Sequence, residues 1–325
     1  MVDLGHEEPT SYPAGRPMPA GGSDRAFAWR PGDAVVSRFA PSPTGLLHLG
    51  HALSARSGFD LALRLGGRFL LRIEDTDPDR CRPELAREIE EHLAWLGLTW
   101  ETPVLRQSEH FPVYAAAAER LAALGLLYPC FATRGEIEAA AAPGAVDPDG
   151  APLYRGPHRH LEPAEVERRR AAGDLLAMRI DMGRAVAMAV AKAGQTALSY
   201  TALDDRLQPR RVAVNPMRWG DAVIQRKSTP TSYHLSVVVD DARQGVTIVT
   251  RGVDLQASTE IHRLLQILLD LPEPAYQHHA LILDADGRKL SKRDQSTSLK
   301  ALREQGVAPD EVWRRLGLAP CGALM

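Results

Sequence analysis

Residues 34–73 read AVVSRFAPSPTGLLHLGHALSARSGFDLALRLGGRFLLRI and carry the clearest structural pattern of the chain. Residues 34–39 predict a short strand, and after a turn rich in proline and glycine the apolar residues of 51–65 recur at helical spacing. Gly66 and Gly67 end that helix, and residues 68–73 alternate basic and apolar side chains as a strand does. This order of strand, helix and strand predicts a parallel sheet that binds its ligand at the carboxyl ends of the strands.

The rest of the chain adds helices, strands and one irregular stretch. Apolar spacing predicts helices at residues 83–96, 115–127 and 259–269, and β-rich runs occur at 222–225, 235–239 and 246–249. The segment 131–215 has an Ala/Pro/Gly-rich part, one charged helix at 162–172 and little sustained pattern, so we interpret it as an insertion. Residues 1–33 are rich in glycine and proline and predict a flexible tail.

Composition places the chain among ordinary globular proteins. It has 325 residues, of which 44% are hydrophobic and 25% charged, and this excludes collagen-like, coiled-coil and wholly disordered chains. No apolar run approaches the roughly 18 residues of a membrane span and no secretory signal is visible, so we expect a cytoplasmic protein without a membrane partner. Three scattered cysteines argue against a disulfide framework, and a net charge of −2 gives no bulk sign of a nucleic-acid partner.

A histidine motif stands where the first strand passes into the first helix. The sequence has neither of the common glycine-rich nucleotide loops, GxxxxGK[ST] and GxGxxG. His48 and His51 flank Gly50 at the start of the predicted helix, where imidazoles and backbone N–H groups could meet a triphosphate. A zinc-binding pair and an ordinary capping histidine are the alternatives.

A second motif, KLSKR at residues 289–293, follows a glycine-containing turn near the end of the chain. The chain has 5 lysines and 34 arginines, so arginine is its usual surface cation, yet Lys289 and Lys292 fall within four positions of each other. That pairing indicates a specific need for a compact ammonium group beside phosphate. A solvated basic loop is the alternative.

Together these stretches resemble one enzyme family. RFAPSPTG at 38–45, HLGH at 48–51, RIEDTD at 72–77 and KLSKR at 289–293 are similar, in this order, to the motifs of the class I aminoacyl-tRNA synthetases of the glutamyl/glutaminyl branch. The resemblance implies an α/β fold with a Rossmann-type catalytic domain and a connecting insertion. The two halves of the catalytic domain would be residues 34–127 and 216–286, the insertion 128–215, and the lysine loop with a short helical segment 287–325.

Length selects a branch within the family. Glutamyl- and glutaminyl-tRNA synthetases continue after the lysine motif into a large anticodon-binding region, whereas only 32 residues follow Arg293 here. The chain therefore resembles the compact glutamyl-queuosine tRNA(Asp) synthetases, which activate glutamate with ATP without tRNA and esterify it to the queuosine base of tRNA(Asp). That resemblance implies L-glutamate, ATP with Mg²⁺, and queuosine-containing tRNA(Asp) as the substrates of a monomeric enzyme. A minimal or discriminating glutamyl-tRNA synthetase that charges a tRNA 3′ end, and an inactive binding or regulatory module, are the alternatives.

The resemblance also implies roles for individual residues. Adenylate formation joins two anions, so we expect cationic and N–H groups around ATP and guanidinium groups around glutamate. The catalytic residues implied are His48, His51, Lys289 and Lys292, and those that bind ATP are His48, Gly50, His51 and Lys292. The residues implied for glutamate are Arg38, Phe39, Ala40, Pro41, Ser42, Glu74, Tyr233 and Arg251. Without the resemblance, Glu74 would be interpreted as a strand-end acid paired with Arg72, and Arg251 as a surface arginine.

A zinc site that the family often carries is only partly present. Its pattern places two cysteines, a tyrosine and a further cysteine in the insertion. Cys130 and Tyr154 match, but Ala132 replaces the second cysteine and His158 stands at the last position. Three candidate ligands are fewer than the four of structural zinc, so we expect no tight metal site.

Overall fold

The computed structural model describes residues 28–154, 156–282 and 298–321. Lys289 and Lys292 lie outside these residues, as does most of the predicted tail. The strands are β1 (Val36–Phe39), β2 (Arg68–Ile73), β3 (Glu101–Arg106), β4 (Leu127–Cys130), β5 (Ala177–Ile180), β6 (Ser199–Leu203), β7 (Pro209–Ala213), β8 (Val223–Gln225), β9 (Ile248–Gly252) and β10 (Ala275–His279). The helices are α1 (Leu49–Arg64), α2 (Pro83–Trp95), α3 (Phe111–Ala123), α4 (Arg134–Ala140), α5 (Pro163–Ala171), α6 (Met182–Ala193), α7 (Tyr233–Arg243), α8 (Thr259–Leu268), α9 (Leu299–Glu304) and α10 (Pro309–Arg315).

Two sheets lie side by side and form the base of the catalytic part. Strands β1, β2 and β3 are parallel, with Val36 opposite Arg68. The second sheet has the order β7-β6-β10-β9, in which β6, β10 and β9 are parallel and β7 is antiparallel. The amide of Thr247 donates to the carbonyl of Val36 at 2.9 Å, which places β9 next to β1. The parallel α/β arrangement predicted from residues 34–73 is therefore confirmed.

Helices cover these sheets with two main apolar clusters. One cluster joins α3, α6, α7 and α8 through buried residues such as Leu121, Ala185 and Leu264. The other joins α1 and α2 to the late helices α9 and α10, and Trp313 is fully buried within it. Within the described ranges, no helix is both long enough and apolar enough to cross a membrane.

The third sheet contains part of the stretch that the sequence predicts as an insertion. Strands β4, β5 and β8 are antiparallel in the order β4-β5-β8, and α4 and α5 lie between β4 and β5 in the chain. Strands β6 and β7 also fall within the predicted range 128–215, yet β6 pairs with β10 of the second sheet, with Ala202 opposite Tyr276. The pairing thus crosses the predicted boundary at residue 215.

One sequence prediction of secondary structure is wrong. Residues 235–239 (LSVVV) predict a strand, but they lie inside helix α7 and all five are buried. A short, continuous apolar run is compatible with a buried strand and with a buried helix, because neither then shows an amphipathic period. The β-branched valines favoured the strand, and packing against α3 and α8 decided for the helix.

Two other predictions need smaller corrections. The helix predicted at 115–127 is α3, which ends at Ala123 because Gly125 takes a positive φ of 68° and the chain enters β4. Helix α6 lies where we saw little pattern, although its ends are marked: Asp181 accepts from the amide of Arg184 at 3.1 Å, and Gly194 closes the helix in the left-handed conformation.

Candidate active site

A cavity of about 290 Å³ opens where β1, β2 and β9 end and α7 begins. This is the edge at which parallel sheets bind their ligands. Its lining residues are Arg38, Phe39, Ala40, Pro41, Ser42, His51, Ser54, Glu74, Tyr233, Thr250, Arg251, Gly252 and Leu255. The structure therefore brings together every residue that the resemblance implied for glutamate, with His51 beside them.

One wall of the cavity is a buried network of charges. Asp241, on α7, accepts from Arg38 Nε at 3.0 Å and from Arg72 Nη1 at 2.8 Å. Arg72 Nη2 also donates to Glu74 Oε1 at 3.1 Å, so Glu74 is paired as the strand-end interpretation expected and lines the cavity as well. The network fixes the positions of Arg38 and Glu74 from behind, through groups that lie deeper in the fold.

The two acids of this network differ in their acidity. Burial raises the pKa of Glu74, and the nearby cations Arg72 and Arg38 offset this only in part. Burial also opposes the ionisation of Asp241, but Arg38 and Arg72 outweigh it and lower the pKa of that carboxyl. Asp241 is thus the ionised centre of the network at neutral pH.

Arg251 also lines the cavity and is not a surface arginine. Its side chain leaves β9 and is buried, with only 4% of the residue exposed. Its guanidinium donates to His278 Nε2 from Nε at 3.3 Å, to His262 Nδ1 from Nη1 at 3.2 Å, and to Thr259 Oγ1 from Nη2. The ring of Tyr276 lies beneath it, 5.2 Å from the guanidinium carbon. All of these partners are uncharged acceptors or an aromatic face.

Tyr233 and Ser42 complete the cavity with hydroxyl groups. Tyr233 is the first residue of α7, and its ring contacts those of His234 and His262 at centroid distances of 5.4 and 5.5 Å. Burial raises the pKa of the Tyr233 hydroxyl, so it remains a hydrogen-bond donor at neutral pH. Ser42 is exposed at the rim.

The histidine motif forms the N-terminus of α1. His48 is the N-cap residue: its Nδ1 accepts from the amide of Gly50 at 3.1 Å, while the amide of His48 donates to His51 Nδ1 at 3.2 Å. The ring centroids are 3.9 Å apart. These two bonds show that the histidines cap the helix, as one of the alternatives proposed. The same bonds place both imidazoles at a helix N-terminus, where anions bind.

Close packing explains the glycine between the two histidines. A Cβ atom at position 50 would lie 3.0 Å from Cε1 and 3.1 Å from Nδ1 of His48. These distances are tighter than ordinary carbon contacts, so a side chain would push the His48 ring away from its capping position. Gly50 thus allows the imidazole to fold over the first turn of α1.

The lysine motif is outside the described residues, but the chain that follows it is described. Ser298 forms an isolated antiparallel bridge with His48, and the amide of Leu299 donates to the carbonyl of Leu47 at 2.8 Å. The described chain that begins at Ser298 is therefore attached directly beside the histidine motif.

Hydrogen bonds occupy the degenerate zinc positions. His158 Nδ1 accepts from the amide of Phe131 at 3.2 Å, and Tyr154 Oη accepts from the amide of His158 at 3.2 Å. Cys130 is buried beside Tyr154, and Lys227 donates to the carbonyl of Phe131 at 2.8 Å. In the described part of the chain, no three or more His, Cys, Asp or Glu side chains are grouped so that they could hold a metal ion. The lack of a tight metal site stays a prediction.

Sequence reasoning missed four residues that support the site. Asp241 follows residues 235–239, which predict a strand although they lie in α7, and nothing in the sequence marks this acid as buried. Thr259, His262 and His278 surround Arg251, yet no motif or spacing links them to it in the sequence. Only the packing of α8 and β10 against β9 brings them there.

Comparison with known proteins places this chain in a family. The family described as tRNA synthetases class I (E and Q), catalytic domain, matches residues 34–322. The chain belongs to this family of ATP-dependent ligases that act on tRNA. The α/β fold class, the family and the class of enzyme predicted from the motifs are confirmed.

Two kinds of curated relatives share most of this chain. The glutamyl-Q tRNA(Asp) synthetase of Rhodobacter capsulatus is 44% identical over 291 residues, which cover 87% of this chain and 100% of that protein. The protein of the same name from Nitratidesulfovibrio vulgaris is 41% identical and is covered to 82% of its length. The glutamate–tRNA ligase of Aquifex aeolicus is 38% identical, but the chain covers only 57% of it.

Solved structures show the same fold. A glutamate tRNA ligase from Elizabethkingia meningosepticum, in complex with its amino acid, superposes with a TM-score of 0.64 at 29% identity. This chain covers 52% of that protein, so it spans about half of the solved ligase. The methionyl-tRNA synthetase of Mycobacterium tuberculosis, at 13% identity and a TM-score of 0.53, shares the fold alone.

Proposed function

We propose that this chain activates L-glutamate with ATP in the absence of tRNA and transfers the glutamyl group to the queuosine base of tRNA(Asp). The observation that carries the proposal is the single cavity that collects Arg38, Glu74, Tyr233 and Arg251 at the carboxyl edge of the sheets. The names of the relatives that this chain covers over 82% to 100% of their length support the acceptor.

The charges of the cavity fit a dicarboxylic amino acid. Glutamate carries two carboxylates and one ammonium group, and the cavity is lined by the guanidinium groups of Arg38 and Arg251 and by the carboxylate of Glu74. Arg251 and the Tyr233 hydroxyl would bind one substrate carboxylate, and Glu74 would accept from the ammonium. Arg38 would orient the other carboxylate toward ATP, with the exposed Ser42 at the rim.

Adenylate formation needs orientation and charge stabilisation more than a protein nucleophile. One oxygen of the glutamate α-carboxylate attacks the α-phosphorus of ATP in line, a new P–O bond forms, and the bond to pyrophosphate breaks. His48, His51 and the amide of Gly50 lie at a helix N-terminus that would hold the phosphates, and we assign Lys289 and Lys292 to the same task. Mg²⁺ would enter with ATP and neutralise the leaving pyrophosphate.

The second step moves the glutamyl group to RNA. A hydroxyl of the queuosine base attacks the activated carbonyl, an ester forms, and AMP leaves. No residue of this chain needs to carry the glutamyl group covalently, because the adenylate already activates it. The monomeric state and the cytoplasmic location expected from the sequence stay predictions.

The decisive experiment separates activation from transfer. Glutamate-dependent exchange of pyrophosphate into ATP is measured without tRNA, and labelled glutamate is then offered to tRNA(Asp) with and without queuosine. We expect exchange without tRNA, and label only on queuosine-containing tRNA that survives removal of the 3′ adenosine. Exchange that requires tRNA, or label that is lost with the 3′ end, would mean a minimal glutamyl-tRNA synthetase, and no exchange at all would mean an inactive module.

A further inference from the structure

Arg251 is held in an unusual way for a buried cation. Each of its three guanidinium nitrogens donates to a neutral acceptor: Thr259 and His262 on α8, and His278 on β10. Among the described residues, none of the carboxylates lies within the 4.0 Å that defines an ion pair with its guanidinium. Buried arginines are ordinarily paired with an acid, because an uncompensated charge is costly away from water.

Hydrogen-bond logic fixes the protonation of the histidines. A guanidinium group can only donate, so His262 Nδ1 and His278 Nε2, which face it, must be unprotonated. His262 then carries its proton on Nε2, which lies 3.3 Å from His234 Nδ1 and donates to it. The result is a directed chain from Arg251 through His262 to His234, in which every ring is neutral.

The surroundings keep these rings neutral. Burial and the positive charge of Arg251 lower the pKa of His278 to about 3 and that of His234 to about 4. The same two causes lower the pKa of His262 well below its usual value, and His262 is only 1% exposed. At neutral pH the three residues that accept hydrogen bonds from Arg251 therefore carry no charge.

Arg38, which also lines the cavity, shows the contrast. Its Nε donates to the ionised Asp241 at 3.0 Å, so its charge is partly neutralised before any substrate binds. The two arginines thus present different electrostatics to the same small cavity. Only the Arg251 side leaves a full positive charge for the ligand to balance.

We propose that Thr259, His262 and His278 are positioning residues that make the site specific for an anionic side chain, because they hold Arg251 rigidly without neutralising it. This inference rests on the proposed function, since it concerns how the site would select glutamate. Glutamate and glutamine have nearly the same shape and differ in the charge of one terminal group, so shape alone discriminates poorly between them. An arginine with an internal acidic partner would lose much of its preference for the charged form.

The test exchanges a neutral acceptor for a charged one at a single position. H262E places a carboxylate against Arg251, whereas H262Q keeps a neutral oxygen acceptor of similar length. We expect H262E to raise the glutamate KM in ATP/pyrophosphate exchange by about tenfold or more, and to raise the calorimetric Kd for glutamate by a similar factor. The preference for glutamate over glutamine should fall by about the same factor. H262Q should stay within about threefold of the unmodified chain in each value, and the ATP KM should change little in both variants.

Controls separate this from a loss of folding. H160E introduces the same substitution at an exposed histidine of the insertion and should change none of these values. Circular dichroism and the unfolding midpoint report whether each variant is folded. If H262E does not fold, the pair H278E and H278Q makes the same comparison at a partly exposed acceptor of Arg251.

The outcomes distinguish the inference from the proposed function. Equal glutamate constants and equal glutamate-to-glutamine ratios for the Glu and Gln variants overturn the inference and leave the proposed function standing. Binding of glutamate without exchange overturns the proposed function, and the binding constants of the variants then decide the inference. A folded, unmodified chain that does not bind glutamate overturns both.

Discussion

Asp241 is the residue on which one wall of the site depends. Its carboxylate lies between the guanidinium groups of Arg38 and Arg72, and all three side chains are buried. Arg72 also pairs with Glu74. Asp241 therefore helps to position both Arg38 and Glu74, the cation and the anion that line the cavity. Removal of one member of such a buried group leaves its partners charged and unpaired, and this costs more than the pair itself contributes.

We therefore expect D241N to lower the free energy of unfolding at pH 7 by about 3–5 kcal/mol. Urea denaturation measures this, with D205N on an exposed turn as the control that should change little. Because Arg38 and Arg72 outweigh burial and lower the pKa of Asp241 in the folded state, the ionised form stabilises the fold above its unfolded pKa of about 3.9.

That contribution is lost as pH falls through the lower, folded pKa. The difference in stability between the unmodified chain and D241N should accordingly be constant near neutral pH and shrink below about pH 4. A difference that grows toward acidic pH would show that the carboxylate does not have the role described here.

At the scale of elements, the N-terminus of α1 combines a structural and a catalytic task. The first turn of the helix is closed by histidine side chains in place of the usual serine, threonine or aspartate. The cap therefore stabilises the helix and, in the proposed function, also faces ATP. Gly50 serves both tasks, because its missing side chain leaves room for the His48 ring that caps the helix.

We expect G50A to impair catalysis with little net change in stability. Alanine favours a helix over glycine by about 0.5–1 kcal/mol, but loss of the His48 cap costs about as much, so the free energy of unfolding should change little. The displaced His48 ring should raise the ATP KM in exchange by about tenfold or more, since small misplacements of catalytic groups have large kinetic effects.

Helix α6 offers a matched control for this prediction. Gly183 is likewise the second residue of its helix, but a Cβ atom there would lie 3.6 Å from Asp181 Oδ1, an ordinary contact. G183A should therefore keep its cap, raise the free energy of unfolding by about 0.5–1 kcal/mol and leave exchange unchanged. Equal kinetics for the two variants would contradict the role given to the His48 ring.

At the scale of the whole molecule, the last described helices close the first half of the fold. Trp313 on α10 is fully buried, donates from Nε1 to the carbonyl of Leu96 at 3.2 Å, and lies 4.9 Å below the guanidinium of Arg56. The bridge between Ser298 and His48 belongs to the same attachment. The chain after the lysine motif is thus part of the core that supports the histidine motif.

We expect W313A to lower the free energy of unfolding by about 3–5 kcal/mol, as large-to-small changes in cores do. W313F retains most of the apolar volume but leaves the Leu96 carbonyl without its donor, so it should cost less, about 1–3 kcal/mol. Chemical denaturation of the three proteins is the measurement. A loss below 1 kcal/mol for W313A would mean that α10 is only loosely attached.

Much of the candidate site could be predicted from the sequence because its residues belong to short motifs. Arg38, Ser42 and Glu74 lie in two stretches that leave neighbouring strands, and parallel strands bring such stretches together at one edge. Tyr233 and Arg251 required the family resemblance, since neither stands in a pattern with a physical meaning of its own. Their partners could not be predicted, because hydrogen bonds between distant segments leave no local signal.

The sequence by itself determined the strand, turn and helix of residues 34–73 and the identity of the motif residues, because turn chemistry and apolar spacing act between near neighbours. Only the tertiary structure decided that residues 235–239 are helical, that Asp241 reaches Arg38 across 203 positions, and that neutral acceptors surround Arg251. These features depend on which surfaces become buried together. Burial is a property of the folded chain, and it alone sets which charges are paired and which are left for a ligand.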